Sequence, residues 1–390
     1  MFQVTEWNKP WYKKERKCVI VHFWIIIQVN MKLNILEEIN EEYEKRLAIA
    51  FPPPITSYLP FSAVSSIITA QEKSLNWIYN NFIQIYHKGI GKVDYYPNSD
   101  FAYNDKVILN TNELTQNNYR LAQNTIIDDI KFWIDNNNYV IFYLAESHVP
   151  GMRFYKRADV VHSEFIFGYN DEKKCVYVMN FPSNGQKLAI IELGYEDLKK
   201  ALCYTIEYNK NHMQNKCITM KNYNKEFRII LLRYNQVFQM GYSSEINVKV
   251  IKKQISDFVN CNNSSIGNSY FTLYQNGKWG LDAYEQVYRD FLSQVENNKN
   301  LDFRFMCMLY EHKCIMKDRM QILNQIYGIV SPDCEMDEII KITEQFKNTV
   351  LKYNITHNKK LIDRFEIMFD DLKKIETEVY SKYLENFEEY

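Results

Sequence analysis

Glycine is scarce in this chain, with 11 residues in 390, and no stretch reads as a Walker loop or a GxGxxG turn. Backbone approach to a phosphate chain needs such glycines, so the common nucleotide-binding sites are excluded. No CxxC pair occurs among the eight cysteines, and no HxH or HxxxH among the seven histidines. A zinc site of the usual spacing is therefore not expected, and neither HExxH nor an EF-hand loop is present. Excess charge of one sign is missing too: 47 basic against 48 acidic residues leave a net charge of -1. That balance gives no footprint for nucleic acid or an anionic membrane surface. No long internal repeat or low-complexity tract appears.

What is present suits a packed protein. The chain is 46% hydrophobic and 15% aromatic, with 30 Tyr and 23 Phe. Its length allows two domains at roughly 100–200 residues each. Cysteines this sparse and unpaired read as reduced thiols of a cytoplasmic protein. The N-terminus puts basic residues (13–17) before the apolar run CVIVHFWIIIQV (18–29), an order that imitates a signal peptide. The run falls short of the roughly 20 apolar residues a membrane helix needs. Met31-Lys32-Leu33 then reads like a natural start, so the expectation is that residues 1–30 are an extension beyond the true start. An export signal, a membrane anchor or an ordinary element are the alternatives.

Downstream, FPPPITSYLP (51–60) is stiffened by proline. A helix follows, starting near 60–62 with Ser62 as a candidate N-cap. Trp77, Ile78, Phe82 and Ile85 recur at helical steps, which predicts an amphipathic helix through WIYNNFIQIY; much of 87–120 reads as polar and irregular. A helix is expected at 123–135. Short β-branched and aromatic runs then predict strands at 139–145, 164–169, 175–181, 186–193 and 228–233, with a helix around 195–202. Turn signals at Pro150-Gly151, Asn170-Asp171 and Ser183-Asn184-Gly185 separate the first four. After about 243 the pattern is helical, at 245–260, 281–297, 302–327, 336–356 and 360–386. The reading is an α+β fold: an extension at 1–30, an α+β domain at 31–242 and an all-α domain at 243–390.

One constellation suggests chemistry. A nucleophile at a helix N-terminus, with a His and its orienting amide or carboxylate on later strands, is the order of a thiol hydrolase. The chain supplies a helix start, then His162, then Asn180 one strand on. No cysteine lies between Cys18 and Cys175, so Ser62 is the best-placed hydroxyl, with Ser57, Tyr58, Ser65 and Ser66 nearby. The plainer alternatives are that Ser62 caps its helix and that His162 is a satisfied strand-end histidine. Cys175 should point into the core. Glu146-Ser147-His148, Met152-Arg153 and Lys156-Arg157 read as a solvated loop, or as charge presented to a phosphate or carboxylate. Asp302, Arg304, Glu311, His312 and Arg319 share one helix and read as surface ion pairs, with a domain cleft as the alternative for Glu311-His312.

The segments VIFYLAESHVP (140–150), HSEFIFGYNDEKKCVYVMNF (162–181), GYEDLKKAL (194–202) and WGLDAYEQV (279–287) resemble the butirosin biosynthesis protein H N-terminal-like family. That resemblance covers most of the chain from about residue 50. It implies a papain-like domain of helices and an antiparallel sheet, followed by helices, in proteins of nonribosomal-peptide and other natural-product pathways. It further implies acyl transfer from a carrier-protein thioester to an amine, with His162 as base and Asn180 in the orienter's place. The family's cysteine has no counterpart here. Three readings stay open: an accessory or binding protein with a degenerate nucleophile site, an active acyltransferase or amidase using Ser62 or only His162, and an interaction scaffold whose helices carry the function. Expected partners are an acyl carrier or peptide-synthetase protein and a small-molecule or peptide substrate. No cofactor and no metal are expected.

Overall fold

A computed structural model of the chain describes residues 34–71, 75–88, 93–96, 109–122, 124–182, 187–213, 225–235, 245–266 and 277–387. The expectations for residues 1–30 and for the turn at Ser183-Asn184-Gly185 lie outside the described residues.

The fold is α+β, with antiparallel sheets in the N-terminal part and helices after them. The main sheet is built on β8 (Tyr139–Ala145), β9 (Val161–Asn170), β10 (Cys175–Asn180), β11 (Ala189–Gly194), β12 (Ile229–Tyr234) and β7 (Leu109–Leu114). Their order is β11-β10-β9-β8-β12-β7. β9 is the hub. Its first half pairs with β8, its second half with the short β3 (Glu44–Arg46), and its other edge with β10. The exchange of partners falls at an irregularity near Gly168, where a Cβ would lie 2.5 Å from the carbonyl oxygen of Lys45. Only glycine admits so close a backbone approach. β2 (Ile39–Asn40) extends this edge, while β1 (Ile35–Leu36) pairs with β4 (Ile49–Ala50).

Helix α1 (Leu59–Thr69) packs on β4 and β9, and α3 (Ile126–Asp135) on β8 and β9. α3 buries Ile126, Ile130, Trp133 and Ile134, the stripe its periodicity predicts. α4 (Tyr195–Met213) runs further than expected and packs on β8. Two expectations fail nearby. The helix begun at α2 (Leu75–Asn80) ends there, and β5 (Gln84–His87) follows. Phe82 breaks the pattern with φ 58°, a left-handed residue that ends a helix. The stretch 87–120 also holds β6 (Val93–Tyr96) and β7, which its polar composition hid.

The C-terminal helices are α5 (Val248–Val259), α6 (Asp282–Glu296), α7 (Phe303–Tyr327), α8 (Asp333–Thr356) and α9 (Phe365–Glu385). They match the expected runs. One short strand, β13 (Lys278–Trp279), interrupts them and pairs with β5, giving a second sheet in the order β13-β5-β6. At the junction Gly280 adopts φ +55°, and a Cβ there would lie 2.0 Å from the carbonyl oxygen of Phe258. Among the described residues one large buried apolar cluster runs from Leu47 to Phe387, and Tyr86, Tyr96 and Trp279 form a second, small one. No helix among the described residues is long and apolar enough to cross a membrane.

Candidate functional site

The chemistry-bearing side chains gather where β8 ends and β9 begins. Leu144 lies opposite His162 and Phe142 opposite Glu164. Residues paired in this way share a face, and Trp133 of α3 reaches Phe142 on it. The residue after β8 is Glu146, whose N–H donates to the carbonyl of Val160. That turn carries its carboxylate to 3.2 Å from His162 Nδ1. The carboxylate is nearly buried, at 8% exposure, while the imidazole is 44% exposed. The two groups are within ion-pair distance, but Nδ1 makes no hydrogen bond, so Glu146 stands beside the imidazole without fixing its tautomer.

Asn180 does not take the orienter's role. Its Nδ2 donates to Glu164 Oε2 at 2.5 Å and to the carbonyl of Ser163 at 3.1 Å, and its Oδ1 accepts from the N–H of Phe181. The expected orienter on β10 is thus committed to a different residue, and the carboxylate beside His162 is that of Glu146, on the opposite flank of β9. Glu164 itself is fully buried. Burial, opposed by the Asn180 hydrogen bond and reinforced by the nearby Glu146, pushes its carboxyl up to about 8. It is a neutral acid at neutral pH, two residues from the exposed histidine.

The nucleophile position is closed. Tyr58, not Ser62, is the N-cap residue of α1, with Pro60 in the first turn. Ser62 is fully buried, and its Oγ donates to the Tyr58 carbonyl at 3.0 Å. A serine that back-bonds within its helix has committed its only proton. No polar contact joins Ser62 to His162 among the described residues. Ser65 and Ser66 are likewise buried and donate to the carbonyls of Ser62 and Ala50. The approach to the helix is sealed by Glu311 of α7, whose carboxylate accepts from the N–H of Thr56 at 2.8 Å, from Thr56 Oγ1 and from the N–H of Ser57. Four of the described cysteines offer no substitute. Burial raises the thiols of Cys175 and Cys203, and lifts those of Cys307 and Cys314 to about 12 and about 11. Nucleophilic thiols are shifted the other way.

Beside Glu146 lies a second network. Ser147 Oγ donates to Asp159 Oδ1 at 2.7 Å and stands 2.9 Å from His148 Nδ1. Ser147 has one proton and the carboxylate accepts only, so His148 Nδ1 is the donor to Ser147. The ring is stacked on Tyr204 of α4, centroids 3.9 Å apart, and the Tyr204 hydroxyl donates to Asp159 Oδ2. At this end of the sheet His148 Nδ1 is thus bonded to Ser147, whereas His162 Nδ1 faces the Glu146 carboxylate at 3.2 Å without a hydrogen bond.

Glu146 and Glu164 carry no motif spacing to His162; only the register of β8 on β9 reveals the first, and burial of a strand the second. Among the described residues no group of three or more His, Cys, Asp or Glu could hold a metal ion. No protein-family model matches the chain, and no curated protein matches it.

Proposed function

We propose that this chain is a papain-like protein of the butirosin biosynthesis protein H N-terminal-like kind, with a degenerate nucleophile site and an accessory, ligand-holding role in peptide natural-product biosynthesis in the cytoplasm. Its ligand is an acyl or peptidyl group, delivered free or on an acyl carrier or peptide-synthetase protein. One observation supports the reading most: a half-exposed His162 stands beside the Glu146 carboxylate, while the hydroxyl at the helix start is buried and already bonded. A base without a hydroxyl or thiol in reach can bind and polarise a ligand but forms no acyl-serine or acyl-cysteine intermediate.

The test is exposure of the protein to acyl-pantetheine thioesters, read by equilibrium dialysis and intact-mass spectrometry. Saturable binding with no change in protein mass is expected, in the parent and in Ser62→Ala alike. An acyl adduct that disappears in Ser62→Ala overturns the reading, and so does the absence of binding by every thioester tried.

A second reading is favoured by the half-exposed imidazole. His162 can deprotonate an external amine or water that attacks a bound acyl group, with no covalent intermediate. In that case acceptor acylation or hydrolysis accompanies binding. His162→Ala lowers the rate by roughly 10²-fold or more, whereas Ser62→Ala leaves it unchanged.

A further inference from the structure

The segment between β8 and β9 carries Arg153, Lys156 and Arg157, all exposed. Elsewhere on this surface cations find carboxylates: Lys131 with Asp171, Lys173 with Glu192, and Lys225 and Arg228 with Glu113. These three have no carboxylate partner among the described residues. Arg153 lies over the ring of Phe154 and Lys156 over that of Tyr155, at 5.3 and 5.0 Å. Of the segment's two acids, Asp159 is occupied by the Ser147 and Tyr204 hydroxyls and Glu146 faces His162. In a chain with a net charge of -1, this is a local concentration of positive charge and not a general background.

The loop is also fixed in place. Val149 and Met152 are buried, Met152 bridges to Pro182 just beyond Asn180, and the N–H of Lys156 donates to the Ser147 carbonyl. Lys156 is held at φ 55°, a left-handed conformation that strains a side-chain-bearing residue. An anchored loop with three uncompensated cations, tied to the strand ends that carry Glu146, His162 and Asn180, is arranged to receive an anion. Two guanidinium groups add the planar forks that fit phosphate and carboxylate oxygens.

We propose that the 150–158 loop is an anion subsite at the rim of the His162 site, recognising a phosphate or carboxylate group of a small-molecule ligand through Arg153, Lys156 and Arg157. The assignment uses only the loop's charge and anchoring, so it stands or falls apart from the papain-like reading.

The experiment is calorimetric titration of the full chain with inorganic pyrophosphate and, in a second arm, with succinate, each at low and at physiological salt. The loop variant R153Q/K156Q/R157Q is compared with K249Q/K341Q/K382Q, which removes three exposed helical lysines. The three loop side chains are exposed, and equal melting temperatures verify that the fold is retained. Expected is saturable binding of at least one anion, weakened at least tenfold in the loop variant, unchanged in the helical variant and weaker at higher salt. The arm that saturates identifies the group as phosphate or carboxylate. Binding of neither anion overturns the proposal, as does equal affinity in the two triple variants.

Discussion

Glu164 links the site to stability through its proton. The buried carboxyl sits at about 8 in the fold, against about 4.3 in an unfolded chain. Between those values the folded protein holds a proton that the unfolded chain has released. Stability from this group is therefore full below the unfolded value and is lost as pH rises through about 8. Urea midpoints measured from pH 5 to 9 should fall with rising pH in the parent, and fall less in Glu164→Gln, whose amide stays neutral. A parallel decline in both proteins would show that the carboxyl is ionised in the fold. Three residues of the site, Glu146, Glu164 and Asn180, also show what sequence can carry at this scale. His162 was recognisable because a strand-end histidine beside a hairpin is a local pattern. Its carboxylate was not, because residues 146 and 162 meet only through the pairing of Leu144 with His162 and Ala145 with Val161. Spacing favoured Asn180 on the other flank, and the amide went to a buried acid no motif announces.

At the scale of elements, α7 is the helix that joins the two parts of the chain. Its Glu311, His312 and Arg319, expected as surface ion pairs with a domain cleft as the alternative for the first two, are buried. Each satisfies backbone groups from 56–83. Glu311 accepts from Thr56 and Ser57, and His312 Nε2 bonds the carbonyl of Ile83 at 2.7 Å. Burial, and then the neighbouring Lys313 charge, hold that imidazole well below its usual range, so it is neutral and donates from Nε2. Arg319 donates to the carbonyls of Tyr79 at 2.6 Å and Asn81 at 2.5 Å, capping α2 where the strand β5 is about to begin. Arg319→Met removes those donors and strands buried carbonyls. A loss of about 3–5 kcal/mol is expected, the cost of breaking a buried charged network. Glu311→Ala should cost about 3 kcal/mol, because three donors lose one acceptor. Denaturant midpoints at constant slope measure both; a change under 1 kcal/mol in either would mean that water replaces these contacts. Helical periodicity located α7 correctly. It could not distinguish a polar surface from a polar seam, since either places charged residues between apolar ones.

Among the described residues one large apolar cluster spans both parts of the chain, and β13 adds a strand from the helical half to β5 and β6, where Tyr86, Tyr96 and Trp279 form a small cluster of their own. The change of pattern near residue 243 was legible, because strand and helix periods differ. The two-residue strand that crosses it was not, since Lys278-Trp279 has no period to read. A chain cut after residue 242 loses Glu311, His312, Arg319 and β13 together, so it should lack the cooperative unfolding transition of the parent. The central claim concerns the sealed nucleophile position. Its most direct measurement is Ser62→Cys, treated with an acyl-pantetheine thioester and with a thiol alkylating reagent, then mapped by peptide mass spectrometry at residue 62. The account predicts no acyl or alkyl group on that cysteine in the folded protein, with alkylation appearing only on unfolding. A folded-state acyl adduct at residue 62 that is lost in Ser62→Cys/His162→Ala would contradict it and make this an open, histidine-activated catalytic position.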